Sequence, residues 1–380
     1  LRGRSGFAHL FEHLMFQGTW TGLGTGEHLA AIQAAGGTAN ATTSFDRTNY
    51  FETIHPGALE LALWLEAQRL EYLKVDQINL DTQREVVKEE KRQRYDNVPY
   101  GDTLLAMVEL AFGIDHPYHH LPIGSMADLD AATLTDVQAF HARHYTPSNL
   151  VVVLSGAVSN QEALDLVGQH FGAIVGSEAP SQTRVPPAPA FTGTPQRLLD
   201  SAVPREDSHL LWHIPHWDSP ASRALEMGLD VLANGQSSRL YQRLVVAEEL
   251  AEGVSAGTLG LDGGSDLAMV SSHTREGASS HQLNEIVLEE VSRLAISGPD
   301  AEELDRVRAQ VERHILTEMA STTSRADEIN HWASATGDAN RVNTALNDYL
   351  VIDADQISQA MTQWLSPENH ALLGHRKARS

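Results

Sequence analysis

The chain has 380 residues, enough for about two domains. Its 50 acidic residues against 27 Lys or Arg give a formal charge of -23, which excludes the basic footprint a nucleic-acid partner requires. It contains no cysteine, which excludes disulfides, thiolate nucleophiles and Cys-ligated metals, and no apolar run approaches the roughly 18 residues needed to cross a bilayer.

The first element is the stretch GFAHLFEHLM, residues 6–15, whose apolar spacing predicts a buried helix. On a helix His9 and His13 are i and i+4, so both rings leave one face a turn apart, and Glu12 shares that face. Two neutral imidazoles so placed can ligate one Zn²⁺, while an uncoordinated carboxylate beside them can take a proton from water. The order His-x-x-Glu-His reverses the commoner zincin order and is an inverzincin signature. Zinc hydrolases keep three protein ligands, so without cysteine the third must be another His, Asp or Glu.

Next, the β-branched and aromatic residues of GGTANATTSFDRTNYFETI (36–54) predict a pair of strands. Residues 57–73, with Leu59, Leu61, Leu63, Trp64, Leu70 and Leu73 among charged residues, predict a helix. A second, mostly solvated helix is predicted over 76–97, ending before Pro99. It offers Glu85, Glu89 and Glu90 as third ligands, and composition does not choose among them. The cluster His116-Pro117-Tyr118-His119-His120 reads as a structural loop rather than a second metal site.

Residues 176–195 are rich in Pro, Gly, Ser and Thr with no apolar period, the composition of a linker. We therefore expect domains at 1–178 and 197–380, joined by 179–196. The segments 133–156 and 353–375 share one layout of helix, Pro-x-Asn and strand, with Pro147 and Asn149 matching Pro367 and Asn369 at a common offset of 220. This duplication predicts an α+β fold of two related domains, each a mostly antiparallel sheet packed with helices. The chain opens at Leu1-Arg2-Gly3-Arg4 without Met, inside a motif, which leaves room for a preceding strand and signal peptide.

HLFEH followed by FQGT, then GGTANATTSFDRTNYFE, QREVVKEEKRQRYDNVPYG and HPYHHLPIGSMADLDAATLTDVQAFHARHYTPSNLVVVLSG, resembles the pitrilysin or insulinase family of zinc peptidases, which includes the mitochondrial processing peptidase. The resemblance covers most of residues 5–175 and continues more weakly to the C-terminus. It implies one Zn²⁺ per chain, held by His9, His13 and Glu90, with Glu89 ranked second for the third ligand. Glu12 is implied as the general base that takes a proton from water and passes it to the leaving amine. Seven residues before Glu90 the family usually has a glutamate that helps hold the site. Here that position is Gln83, which implies weaker electrostatic support of the metal. Asn40, Ala41 and Thr42, with Thr43 after them, lie where the family presents a strand edge to which a peptide substrate adds.

The segment 237–257 resembles the part of the family that carries Leu-Arg and, seven residues later, Tyr, a pair that contacts substrate and stabilises the oxyanion. In this chain Leu244 is followed by Val245, and the Tyr position is Glu252. Arg239 and Tyr241 are the nearest substitutes, at the wrong spacing. The resemblance therefore implies a zinc-bearing subunit that pairs with a related subunit supplying the Arg and Tyr, a heterodimer in preference to a homodimer. The activity implied is that of a zinc endopeptidase on oligopeptides or unfolded segments, with an inactive scaffold subunit as the alternative. A periplasmic or secreted location is expected in preference to the cytoplasm.

Overall fold

The computed structural model describes residues 3–178 and 185–378, so residues 179–184 of the expected linker lie outside the described residues. The chain forms two compact units, each assembled from three stretches. The first takes the chain up to Arg94, then His120 to residue 178, then Thr317–Val342. The second takes Tyr95–His119, the chain from Val185 to Leu316, and the chain from Asn343 on.

In the first unit, α1 (Phe7–Leu14) buries Phe7, Leu10, Phe11 and Leu14, the i, i+3, i+4, i+7 face of an amphipathic helix. Gly6 caps it at φ 88°, and a Cβ there would lie 2.8 Å from the Ile123 carbonyl oxygen, so only glycine fits. After α2 (Glu27–Ala34) come β1 (Thr38–Thr43) and β2 (Thr48–Thr53). These pair antiparallel from Thr38 opposite Thr53 to Thr43 opposite Thr48, and Ser44 N donates to the Arg47 carbonyl across the turn. Helix α3 (Leu59–Tyr72) buries Ala62 and Leu65 against Ile32 of α2. Helix α4 (Gln77–Lys91) starts at Asp76, whose carboxylate accepts from Asn79 N, and ends in a wider turn at Arg92–Asp96. Its Leu80, Gln83 and Val87 form one buried stripe, and it packs against α1.

In the second unit, β3 (Gln196–Ser201), β4 (Asp207–Ile214), β5 (Ala251–Leu259), β6 (Asp266–Thr274) and β7 (Ala371–Lys377) form one sheet of order β3-β7-β4-β6-β5. All pairings are antiparallel except β3 with β7. Every residue of the central β4 is buried because both faces are covered. Leu210, Trp212 and Ile214 face a core that includes helices Pro220–Ala233, Ser280–Ser297 and Ala354–Trp364. On the other face Leu211 packs with Leu373 and with Ala106 and Met107 of α5 (Thr103–Ala111), which draws α5 into this unit.

The α+β class is as expected, and the two layouts that suggested duplication diverge at their ends. Helix Ala354–Trp364 is followed by β7. Helix Leu134–His144 and the turn Pro147–Asn149 are followed instead by an extended segment without a ladder. There Leu150, Val151 and Val152 are 43%, 37% and 40% exposed. Alternation and β-branching favour an extended backbone, but a strand also needs a paired neighbour, and no described strand pairs with this segment.

Candidate metal centre

Helix α1 places the rings of His9 and His13 with centroids 4.8 Å apart. The last turn of α4 brings in Glu90, whose Oε2 lies 3.7 Å from His9 Nε2 and 3.2 Å from His13 Nε2. Zinc bound to nitrogen and oxygen at about 2.0–2.1 Å in tetrahedral geometry separates its ligand atoms by about 3.3 Å, so the three donors fit one such ion. His9 gives a second test of that fit. Its Nε2 faces Glu90 from beyond hydrogen-bond range, which suits an ion held between them, while its outer Nδ1 has no hydrogen-bond partner. Burial, aided by His13, lowers the pKa of His9 to about 4, so the ring is neutral and free to donate a lone pair.

Of the three acidic candidates on α4, only Glu90 reaches the imidazoles. Glu85 accepts from Lys88, while Glu89 is exposed and accepts from Gln93 and Arg92. The second oxygen of Glu90 lies 3.0 Å from Arg94 Nη1. Gln83 is buried two turns earlier on the same face of α4.

Glu12 stands apart from the three converging donors. Its Oε2 accepts from the hydroxyl of Thr43, the last residue of β1. Burial raises its pKa, which brings a carboxylate nearer to the range in which it can both take and give a proton. The resemblance places Thr43 on the substrate-binding edge but not against Glu12, and nothing in the sequence singles out Arg94.

Along β1, Asn40 and Thr42 are exposed and Ala41 is buried. β2 is the one described strand that pairs with β1, so the opposite edge carries no ladder among the described residues. The loop His116 to His120 gathers no metal-like cluster among the described residues. His116 Nδ1 accepts from Tyr118 N, and His119 Nδ1 and His120 Nδ1 lie 2.8 and 3.2 Å from the carbonyl oxygens of Phe112 and Leu121. In the second unit Leu244 and Val245 are buried, and Glu252 pairs with Arg205. Arg239 donates to both carboxylate oxygens of Glu303 and to the Gly298 carbonyl, so it is not a free donor for an oxyanion.

Comparison with known proteins gives the family. Residues 2–111 match the family model described as Insulinase (Peptidase family M16), and residues 131–311 match the one described as Peptidase M16 inactive domain. The "Zinc protease PqqE" of Helicobacter pylori is 34% identical over 255 residues, which is 66% of this chain but only 56% of that relative's length. The "Uncharacterized zinc protease Rv2782c" of Mycobacterium tuberculosis is 31% identical over 301 residues, 77% of this chain and 67% of that one. A crystal structure of a protease from Helicobacter pylori superposes with a TM-score of 0.90 at 24% identity, covering 99% of this chain and 90% of that one, a likeness of fold. On these matches the chain belongs to the insulinase family, peptidase family M16.

Proposed function

We propose that this chain is the zinc-bearing part of a metalloendopeptidase that cleaves oligopeptides or unfolded segments in a chamber completed by a related subunit. The observation that carries this reading is the convergence of His9, His13 and Glu90 with Glu12 left uncoordinated beside them. When bound, zinc supplies Lewis-acid activation of water and of a peptide carbonyl. His9, His13 and Glu90 would hold it, and Arg94 Nη1 lies 3.0 Å from the second oxygen of Glu90. The Thr43 hydroxyl fixes the Glu12 carboxylate, which takes the proton from the attacking water and delivers it to the leaving amine. A substrate strand added along the free edge of β1 would be read through its main chain, so extension matters more than side-chain sequence.

The occupied guanidinium of Arg239 and the Val245 and Glu252 positions support a partner. Without oxyanion donors from elsewhere the reaction would lose about 2.7–4 kcal/mol of transition-state stabilisation per donor. A scaffold role is the second reading, favoured by the match of residues 131–311 to an inactive domain. The test is cleavage of an internally quenched peptide by the full chain, alone and mixed with a related subunit carrying the Arg and Tyr, before and after zinc is stripped and restored. Cleavage that needs both zinc and the second subunit is expected. Cleavage that survives zinc removal contradicts the proposal, and zinc binding without cleavage in any pairing favours the scaffold.

A further inference from the structure

Two further groups of described residues bring His and acidic donor atoms within 4.8 Å of one another, and they differ in how their charge is balanced. In the first, His28, Glu52 and Glu66, the buried guanidinium of Arg69 donates through Nε and Nη2 to Glu66, so a cation is already in place. In the second, Asp207, His209 and His375, no Lys or Arg pairs with the carboxylate among the described residues. There the side chains of Asp207, His209 and His375 are 0%, 6% and 0% exposed.

These three residues sit on neighbouring central strands of the second unit. Asp207 and His209, two apart on β4, share a face, and His375 is on β7. His209 Nε2 lies 3.0 Å from Asp207 Oδ2, and His375 Nδ1 lies 2.9 and 3.1 Å from Oδ1 and Oδ2. The backbone N–H of His375 also donates to Oδ1 at 2.7 Å. The outer nitrogens are held as well, His209 Nδ1 by Ser271 Oγ at 2.7 Å and His375 Nε2 by Asp102 Oδ1 at 2.9 Å. Outer nitrogens tied to oxygen atoms, with inner nitrogens aimed at one point, is how metal-bound imidazoles are oriented. With no Lys or Arg beside it, the buried Asp207 carboxylate lacks a fixed positive partner, which a cation bound by the two imidazoles would supply.

We propose that Asp207, His209 and His375 form a second divalent-cation site, of the zinc type given its imidazole and carboxylate donors. Two imidazoles and the Asp207 carboxylate supply one ligand atom each, three in all, and an ion held by them ties β4 to β7. This inference does not rest on the peptidase reading.

The test is the zinc content of the purified full chain, measured by mass spectrometry. The His13→Ala variant leaves the cluster untouched and should keep one equivalent, whereas adding His375→Ala should remove it. In the His13→Ala background, Ser271→Ala keeps all three ligands and should weaken zinc in chelator competition by about 10–100-fold. If the His375→Ala chain does not fold, the other two measurements still decide. A His13→Ala chain that holds no zinc after equilibration with the metal would overturn the proposal and assign the cluster's charge balance to protons.

Discussion

At the scale of single residues, adjacent positions on one helix do different work. Glu89 and Glu90 follow each other on α4, yet only Glu90 turns its carboxylate to the imidazoles. Zinc titration should show Glu90→Gln losing the ion bound at the motif while Glu89→Gln keeps it, and equal affinities in the two variants would contradict the assignment. The pair His9 and His13 with Glu12 was legible because helical spacing alone puts i, i+3 and i+4 on one face. Glu90 was not legible from spacing, since 77 residues of chain separate it from His13, and only the family resemblance singled it out. The contact of Thr43 with Glu12 and the meeting of Asp207 with His375 depend on tertiary packing, which no local pattern records. Asp266 makes a separate prediction. Burial pushes its pKa up to about 8, and its Oδ1 accepts from Leu261 N while Oδ2 has no partner. The folded chain then holds a proton that the unfolded chain releases above about 4. Stability therefore falls as pH rises from about 4 to about 8 and levels beyond. Asp266→Asn lacks this penalty, so its melting temperature relative to the parent should climb across that window, and a constant difference would sink the argument.

At the scale of elements, the site depends on how α1 and α4 are seated. Leu80 of α4 is fully buried, whereas Ile78, two residues earlier, is 76% exposed. Leu80→Ala should cost about 2–5 kcal/mol of stability by leaving a cavity, and Ile78→Ala should stay within about 0.5 kcal/mol. Denaturant unfolding of the two variants checks this, and similar losses would mean that α4 is not seated on that face. The helices were legible from apolar residues spaced among charged ones and from breakers, as Pro99 after α4. The segment 150–155 reads as a strand by the same rules and forms none, because a ladder belongs to two segments and a local pattern describes one.

At the scale of the whole molecule, length suggested two domains and the repeated helix–strand layout the α+β class. Neither anticipated that Tyr95–His119 would join the second unit or that Thr317–Val342 would join the first. Those allegiances follow from which buried faces meet, as when Ala106 and Met107 of α5 pack on Leu211 and Leu373. The proposed zinc ligands all lie in the first unit, on α1 and α4, while the segment that would carry an oxyanion-stabilising pair lies in the second and lacks it. Metal binding should therefore need this chain alone, whereas turnover should appear only with a partner subunit. The most direct measurement is the zinc content and peptide cleavage of the partner-supplemented chain beside its Glu12→Gln variant. The account predicts unchanged zinc at His9, His13 and Glu90, with cleavage slowed by about 10²–10⁴-fold. Cleavage at the parent rate by a zinc-loaded Glu12→Gln chain would contradict it.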